Sequence, residues 1–114
     1  MQDVFADVRV DEDTCKALMD GGSELADQSD DAALLLFRLA LAWYERAEDV
    51  DGQISALLYC SGVALDNERI TQADEFLRRA EGLVKMSNDR DLPEMVRSAR
   101  EEIGEIARAE AARG

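Results

Sequence analysis

The residue types that most often perform chemistry in proteins are scarce in this chain. The 114 residues include no His, and the only two cysteines, Cys15 and Cys60, lie far apart in the sequence. Without His there can be no His-based triad and no His general base, and most kinds of zinc site are excluded. Neither GxGxxG nor GxxxxGK[ST] occurs. We therefore expect no enzyme activity, no cofactor and no metal site.

Acidic residues do form local groups, but their spacing indicates structural roles. Asp49, Asp51 and Gly52 resemble the start of a calcium-binding loop, but the further acids and the terminal Glu that such a loop needs do not follow. We expect a turn there. The acids at 11–13 and 30–31 stand at predicted helix starts, where the helix dipole favours negative charge.

The charge balance restricts the kinds of partner. The chain has 26 acids and 13 bases, a formal net charge of −13. Such a polyanion is repelled by phosphates, which argues against binding a nucleic-acid backbone or an anionic membrane surface. A basic protein or peptide would be attracted. Solubility alone, or adaptation to high salt, is the alternative explanation of the acidity.

The location of the protein is predicted from what its N-terminal part and apolar runs lack. Residues 1–10 carry acids and no apolar core of the length that a signal peptide needs. The apolar run at 32–37 ends at Arg38 and is too short to span a bilayer. Both cysteines fall on predicted apolar stripes, which favours buried free thiols over a disulfide. We expect a cytoplasmic protein.

The apolar spacing predicts an all-α fold in one domain, residues 11–114, after an N-terminal arm at 1–10. Residues 30–48 are apolar around almost the whole helix and should form the central element, covered by the other helices. Short polar breaks predict two antiparallel hairpins, 12–49 and 53–85, and a capping helix at 92–111. The predicted helices are 12–27, 30–49, 53–65, 70–85 and 92–111.

Gly22 is the one glycine that falls on the apolar stripe of the first predicted helix. A glycine inside a helix costs about 1 kcal/mol relative to Ala. Close approach of a neighbouring helix would offset that cost. The alternative is that the helix breaks there.

A small-large-small pattern recurs in the second and fourth predicted helices. It consists of Ala33, Phe37 and Ala40, then Ala73, Leu77 and Ala80. A second copy in the second helix, Ala40, Tyr44 and Ala47, lies 33 residues before the copy in the fourth. Small residues let a neighbouring helix approach, and the large residue fills the groove beside it. Residues 54–85 resemble a tetratricopeptide repeat (TPR), with Leu57 at the first large position and Ser61 replacing the small Gly. The resemblance implies a right-handed array of helical hairpins. An unrelated five-helix bundle is the alternative.

The TPR resemblance also implies a function. First helices of TPR hairpins line a concave groove that binds peptides or another helix, and the corresponding positions here would be Ser55, Tyr59, Gly62 and Asp66. The Lys, Asn and Arg set that clamps a peptide carboxylate in one TPR subclass is absent. The resemblance and the charge together predict a protein-binding module, such as a small chaperone or adaptor, with a basic or amphipathic partner.

Trp43 has two interpretations. Core packing is the default for a Trp on an apolar helix, while an aromatic residue at the open end of a hairpin also suits an interface.

Two alternative functions remain. One is a self-associating bundle, for example a homodimer, since the second helix is more apolar than short neighbours can cover. The other is an acidic regulator that occupies the nucleic-acid site of its partner.

Overall fold

The computed structural model describes residues 12–25 and 30–113, and within them the side chains of 16–23 and 31–113. Three sequence-based predictions lie outside these residues: the arm at 1–10, the turn at Gln28 and Ser29, and the burial of the Cys15 side chain. The described chain consists of helices and contains no strand, which confirms the all-α class. The helices are α1 Glu12–Leu25, α2 Asp30–Arg46, α3 Val50–Asp66, α4 Ile70–Leu83 and α5 Leu92–Arg113. A 3-10 turn, Val84–Met86, follows α4.

Two three-residue turns, 47–49 and 67–69, join α2 to α3 and α3 to α4 in the same way. The middle residue of each has a positive φ, 56° at Glu48 and 60° at Glu68. In each turn the next backbone N–H donates to the carbonyl five residues earlier, at 2.9 Å. This is the hydrogen bonding of a left-handed helix end, and it satisfies carbonyls that the last helical turn leaves unpaired. Such short turns make consecutive helices antiparallel.

The start of α3 differs from the sequence-based prediction. Residues 50–52 were expected to form a turn, but α3 begins at Val50. The Asp49 carboxylate caps the helix by accepting a hydrogen bond from the Gly52 N–H at 2.9 Å. The position of Gly52 in this first turn requires glycine, because a Cβ there would overlap the ring of Tyr44. Asp49, the first acid of the pattern that resembled a calcium-binding loop, is therefore a helix cap.

The core is built from equivalent positions of three helices. Phe37, Leu57 and Leu77 recur every 20 residues at the middle of α2, α3 and α4, and each is almost completely buried. The small residues of the two small-large-small patterns are buried as well: Ala33, Ala40, Ala73 and Ala80. Each pattern therefore lies at a helix–helix contact. The patterns that begin at Ala33 and Ala73 are 40 residues apart, longer than the TPR period of about 34 residues. The copy that begins at Ala40 lies 33 residues before Ala73, but its last residue, Ala47, is exposed in the turn after α2.

The central helix is α3, which corrects the expectation that α2 would be. Helix α3 packs mainly against α2, α4 and α5, whereas α2 packs mainly against α1 and α3. The described helices leave one side of α2 open, with Leu35 60% exposed. The prediction failed because apolar content alone does not decide how many neighbours a helix has. Helices that pack in chain order form a row, and the molecule is accordingly elongated, 51 × 33 × 26 Å.

Two polar contacts fix α4 to its neighbours. The Ser61 hydroxyl on α3 donates to the Ala73 carbonyl on α4 at 2.9 Å, in a buried position. On the other side, Arg100 of α5 binds two acids of α4. It contacts Glu81 at 2.6 Å and also pairs with Asp74. The first contact joins α3 to α4, and the Arg100 contacts join α5 to α4.

Candidate partner-binding groove

One row of residues on α3 points away from the core. Tyr59, Gly62 and Asp66 are exposed and Ser55 is half-buried. Their spacing of three or four residues places them on one face of the helix. The opposite face of α3 carries the buried Leu57. The row is therefore the outer side of the central helix.

Tyr59 is fixed in place although it is 48% exposed. Its ring stacks on Phe37 of α2, with ring centroids 5.0 Å apart and planes 19° from parallel. Phe37 is itself buried, so it cannot move away. A ring held in this way loses little conformational freedom when a partner binds.

Two cavities flank the row on α3, and together they form what we call the groove. The first, the α1–α3 cavity, has a volume of about 270 Å³. Its lining includes Ser23 from α1 and Tyr59, Gly62 and Asp66 from α3. The second, the α3–α5 cavity, has a volume of about 360 Å³. Leu58 and Gly62 line both cavities. The α5 side of the second cavity is formed by Glu94, Met95, Ser98, Ala99, Glu102 and Ile103.

The groove is apolar inside and acidic at its edges. Asp66 borders the first cavity and Glu94 and Glu102 border the second, and neither lining includes a basic residue. Glu94 is paired with Arg97 at 3.0 Å. Within the described part of the chain, Asp66 and Glu102 have no ion-pair partner, so their charges are available to a ligand.

The structure brings three of the five proposed partner-contact residues together. Tyr59, Gly62 and Asp66 line the same cavity, whereas Ser55 lines neither cavity. Trp43 also lines neither, and it is only 8% exposed. This burial favours core packing for Trp43, and its role as a partner contact stays a prediction.

Sequence reasoning missed the contribution of α5. Helix α5 was expected only to cap the array, but it forms one wall of the second cavity. Met95 is 52% exposed there. A sequence signal existed, since Met95 lies beside the apolar stripe of α5 and an unbranched thioether is common on adaptable binding surfaces.

Cys60 is the cysteine whose side chain the structure describes, and its thiol is unreactive in the folded protein. Cys60 is completely buried in the core. Desolvation by burial raises the pKa of its thiol to about 12, and Arg38 and Arg79 oppose this only in part.

Among the described residues there is no group of three or more His, Cys, Asp or Glu that could hold a metal ion. In the same part of the chain, no helix is both long and apolar enough to cross a bilayer.

Comparison with known proteins adds no family to these observations. The chain matches no protein-family model, no curated protein and no solved structure. The TPR resemblance therefore stays a sequence-based prediction.

Proposed function

We propose that this protein is a protein–protein interaction module, such as an adaptor or small chaperone, that binds a basic or amphipathic partner segment in the groove. The observation that carries the proposal is the pair of apolar cavities with unpaired acids at their edges. Apolar contact supplies affinity, while Asp66 and Glu102 attract cationic partners and disfavour acidic ones. In this proposal the protein performs no chemical step, uses no cofactor and binds neither nucleic acid nor membranes. Its proposed location is the cytoplasm.

The finer architecture belongs to the same proposal. We propose a TPR-like right-handed array, in which α1, α3 and α5 form the inner surface. The proposal is supported by two features: helices pack in chain order, and residues of these three helices meet at the groove. The 40-residue spacing of the small-large-small patterns would make the repeat longer than that of the TPR family. A crystal structure with left-handed stacking would refute this part.

Selection from a random peptide library, followed by affinity measurement, tests the function. We expect the enriched peptides to be rich in Lys, Arg and large apolar residues. Tyr59→Ala should weaken their binding about tenfold, since it removes a fixed aromatic contact. Asp66→Lys should weaken it too and reduce its dependence on salt.

Matched changes outside the groove serve as controls. Leu35→Ala removes an apolar side chain of α2 that is more exposed than Tyr59. Glu101→Lys reverses an exposed charge of α5 that lines neither cavity. Both variants should bind like the wild type. The proposal is wrong if Tyr59→Ala and Asp66→Lys bind as tightly as these controls.

One observation favours a second function, self-association. Leu35 is the most exposed large apolar residue of the described chain and lies on the open side of α2. Burying this side against a second copy would form a homodimer. Light scattering at high concentration tests this directly, and a monomer that Leu35→Glu does not change would exclude it.

A further inference from the structure

The glycine at the centre of the groove has no explanation within the described chain. A Cβ added at Gly62 would meet nothing within 4 Å, whereas one added at Gly22 would lie 2.7 Å from the Phe37 ring. Gly22 is thus required by close packing and Gly62 is not. A glycine in the middle of a helix costs about 1 kcal/mol relative to Ala. Gly62 is also the place where the two cavities meet.

A small residue between two apolar cavities suits the close approach of another helix. Two packed helices lie about 8–10 Å apart, depending on the side chains at the contact. A helix that crossed α3 above Gly62 could approach to the lower end of this range. Side chains on either side of its contact point would then enter the two cavities.

Hydrogen bonding also favours a helix over an extended peptide. An extended chain would bring backbone N–H and C=O groups into an apolar groove, where each needs a partner. Neither lining includes a basic side chain, so the only donors for the carbonyls of an extended peptide are hydroxyl groups. The hydroxyls of Ser61 and Ser23 already donate to the carbonyls of Ala73 and Met19. The described residues contain no strand to whose edge a peptide could add. A helix satisfies its own backbone groups.

The charges define the chemistry of this helix. Asp66 and Glu102 stand at opposite cavities and form no ion pair among the described residues. Lys or Arg on the partner would neutralise them. A second copy of this chain, with a formal net charge of −13, matches the acidic edges of the groove less well than a basic segment does.

We infer that the occupant of the groove is a basic amphipathic α-helix of another protein that crosses α3 above Gly62. One apolar side chain of this helix enters each cavity, and its basic residues lie beside Asp66 and Glu102. The inference rests on the proposed function, because it names the class of segment that the same groove binds.

Two peptide libraries of equal length, with the same residues allowed at their random positions, test the inference. In one, the random positions lie on a stable helical scaffold, and in the other, prolines prevent helix formation. Both are selected against the wild type, and the binders are measured by fluorescence anisotropy. Gly62→Leu fills the proposed contact point with a side chain, and Gly82→Leu is its matched control. Gly82 is also exposed within a helix, and a Cβ there would meet nothing within 4 Å.

The expected result is enrichment from the helical library alone, with apolar residues three or four positions apart and Lys or Arg beside them. Gly62→Leu should then weaken binding about tenfold or more while Gly82→Leu changes it less than about twofold. Both variants should keep the helical circular dichroism of the wild type.

Other results separate the inference from the function on which it rests. If the binders come from the proline library, or if Gly62→Leu binds as tightly as Gly82→Leu, the inference is overturned and the proposed function stands. If neither library is enriched more on the wild type than on a Tyr59→Ala/Asp66→Lys double variant, both are overturned.

Discussion

Replacing Gly22 by Ala tests the close contact of α1 with the Phe37 ring of α2. A Cβ at this position would lie 2.7 Å from Cε1 and 2.9 Å from Cζ of Phe37. Carbon atoms normally pack at about 3.5–4.0 Å, so the methyl group and the ring would overlap by close to 1 Å. Phe37 is almost fully buried and is stacked on Tyr59. The ring therefore cannot move without disturbing the core and the groove.

The expected change in stability is the sum of two opposed effects. Overfilling a packed core costs about 1–3 kcal/mol. Ala gains about 1 kcal/mol over Gly as a helix former. The net destabilisation by Gly22→Ala is then about 1 kcal/mol, which lowers Tm by roughly 4–8 °C in a domain of this size. Gly62→Ala gains the same helix propensity, and its methyl group overlaps no neighbouring atom. It should therefore raise Tm by a few degrees.

Urea denaturation followed by circular dichroism measures both variants. Because the helical gain is similar in the two, the difference between their unfolding free energies reports the overlap alone, about 1–3 kcal/mol. Two equally stabilised variants would refute the contact between α1 and Phe37. A Gly22→Ala variant that is destabilised but binds the selected peptides as tightly as the wild type would refute the coupling of this contact to the groove.

Two further predictions concern titratable groups. The pKa of Asp74 is held below its ordinary value, first by the hydrogen bond from Arg100, so this contact stabilises the fold above the unfolded pKa of 3.8 and is lost as pH falls below it. Arg100→Ala should therefore be less stable than wild type at pH 7 by urea denaturation, with a smaller difference at pH 3; a constant difference would contradict this. Because burial raises the pKa of Cys60 to about 12, a Cys15→Ser variant should react with a thiol reagent only as fast as it opens, and rapid labelling of the folded protein would contradict this.

Local features of the fold could be predicted from the sequence because they depend on neighbouring residues. Helix identity followed from apolar spacing, and the break before α5 followed from polar residues. The boundary between α2 and α3 was misplaced by three residues. The error arose because Asp49 and Gly52 suit both a turn and a helix start, and only the position of Tyr44 decides between them. That position depends on how two helices pack.

The candidate site was predictable on one helix and not beyond it. The row Tyr59, Gly62 and Asp66 could be placed because residues three or four apart on a helix share a face. The wall supplied by Met95 and Glu102 could not, since nothing in the local sequence tells which side of α3 the last helix will occupy. Arg100, by reaching two acids of α4, helps to fix that position.

The sequence by itself determined an acidic, all-α chain without His, in which small residues mark helix contacts. Tertiary structure alone decided that α3 is central, that α2 keeps one side open, and that two cavities meet at Gly62. The physical reason is that helix formation depends on interactions a few residues apart, whereas a cavity exists only between side chains that packing brings together from different helices. Gly22 and Gly62 show the difference: both stand within helices, yet only packing makes one a tight contact and the other an open surface.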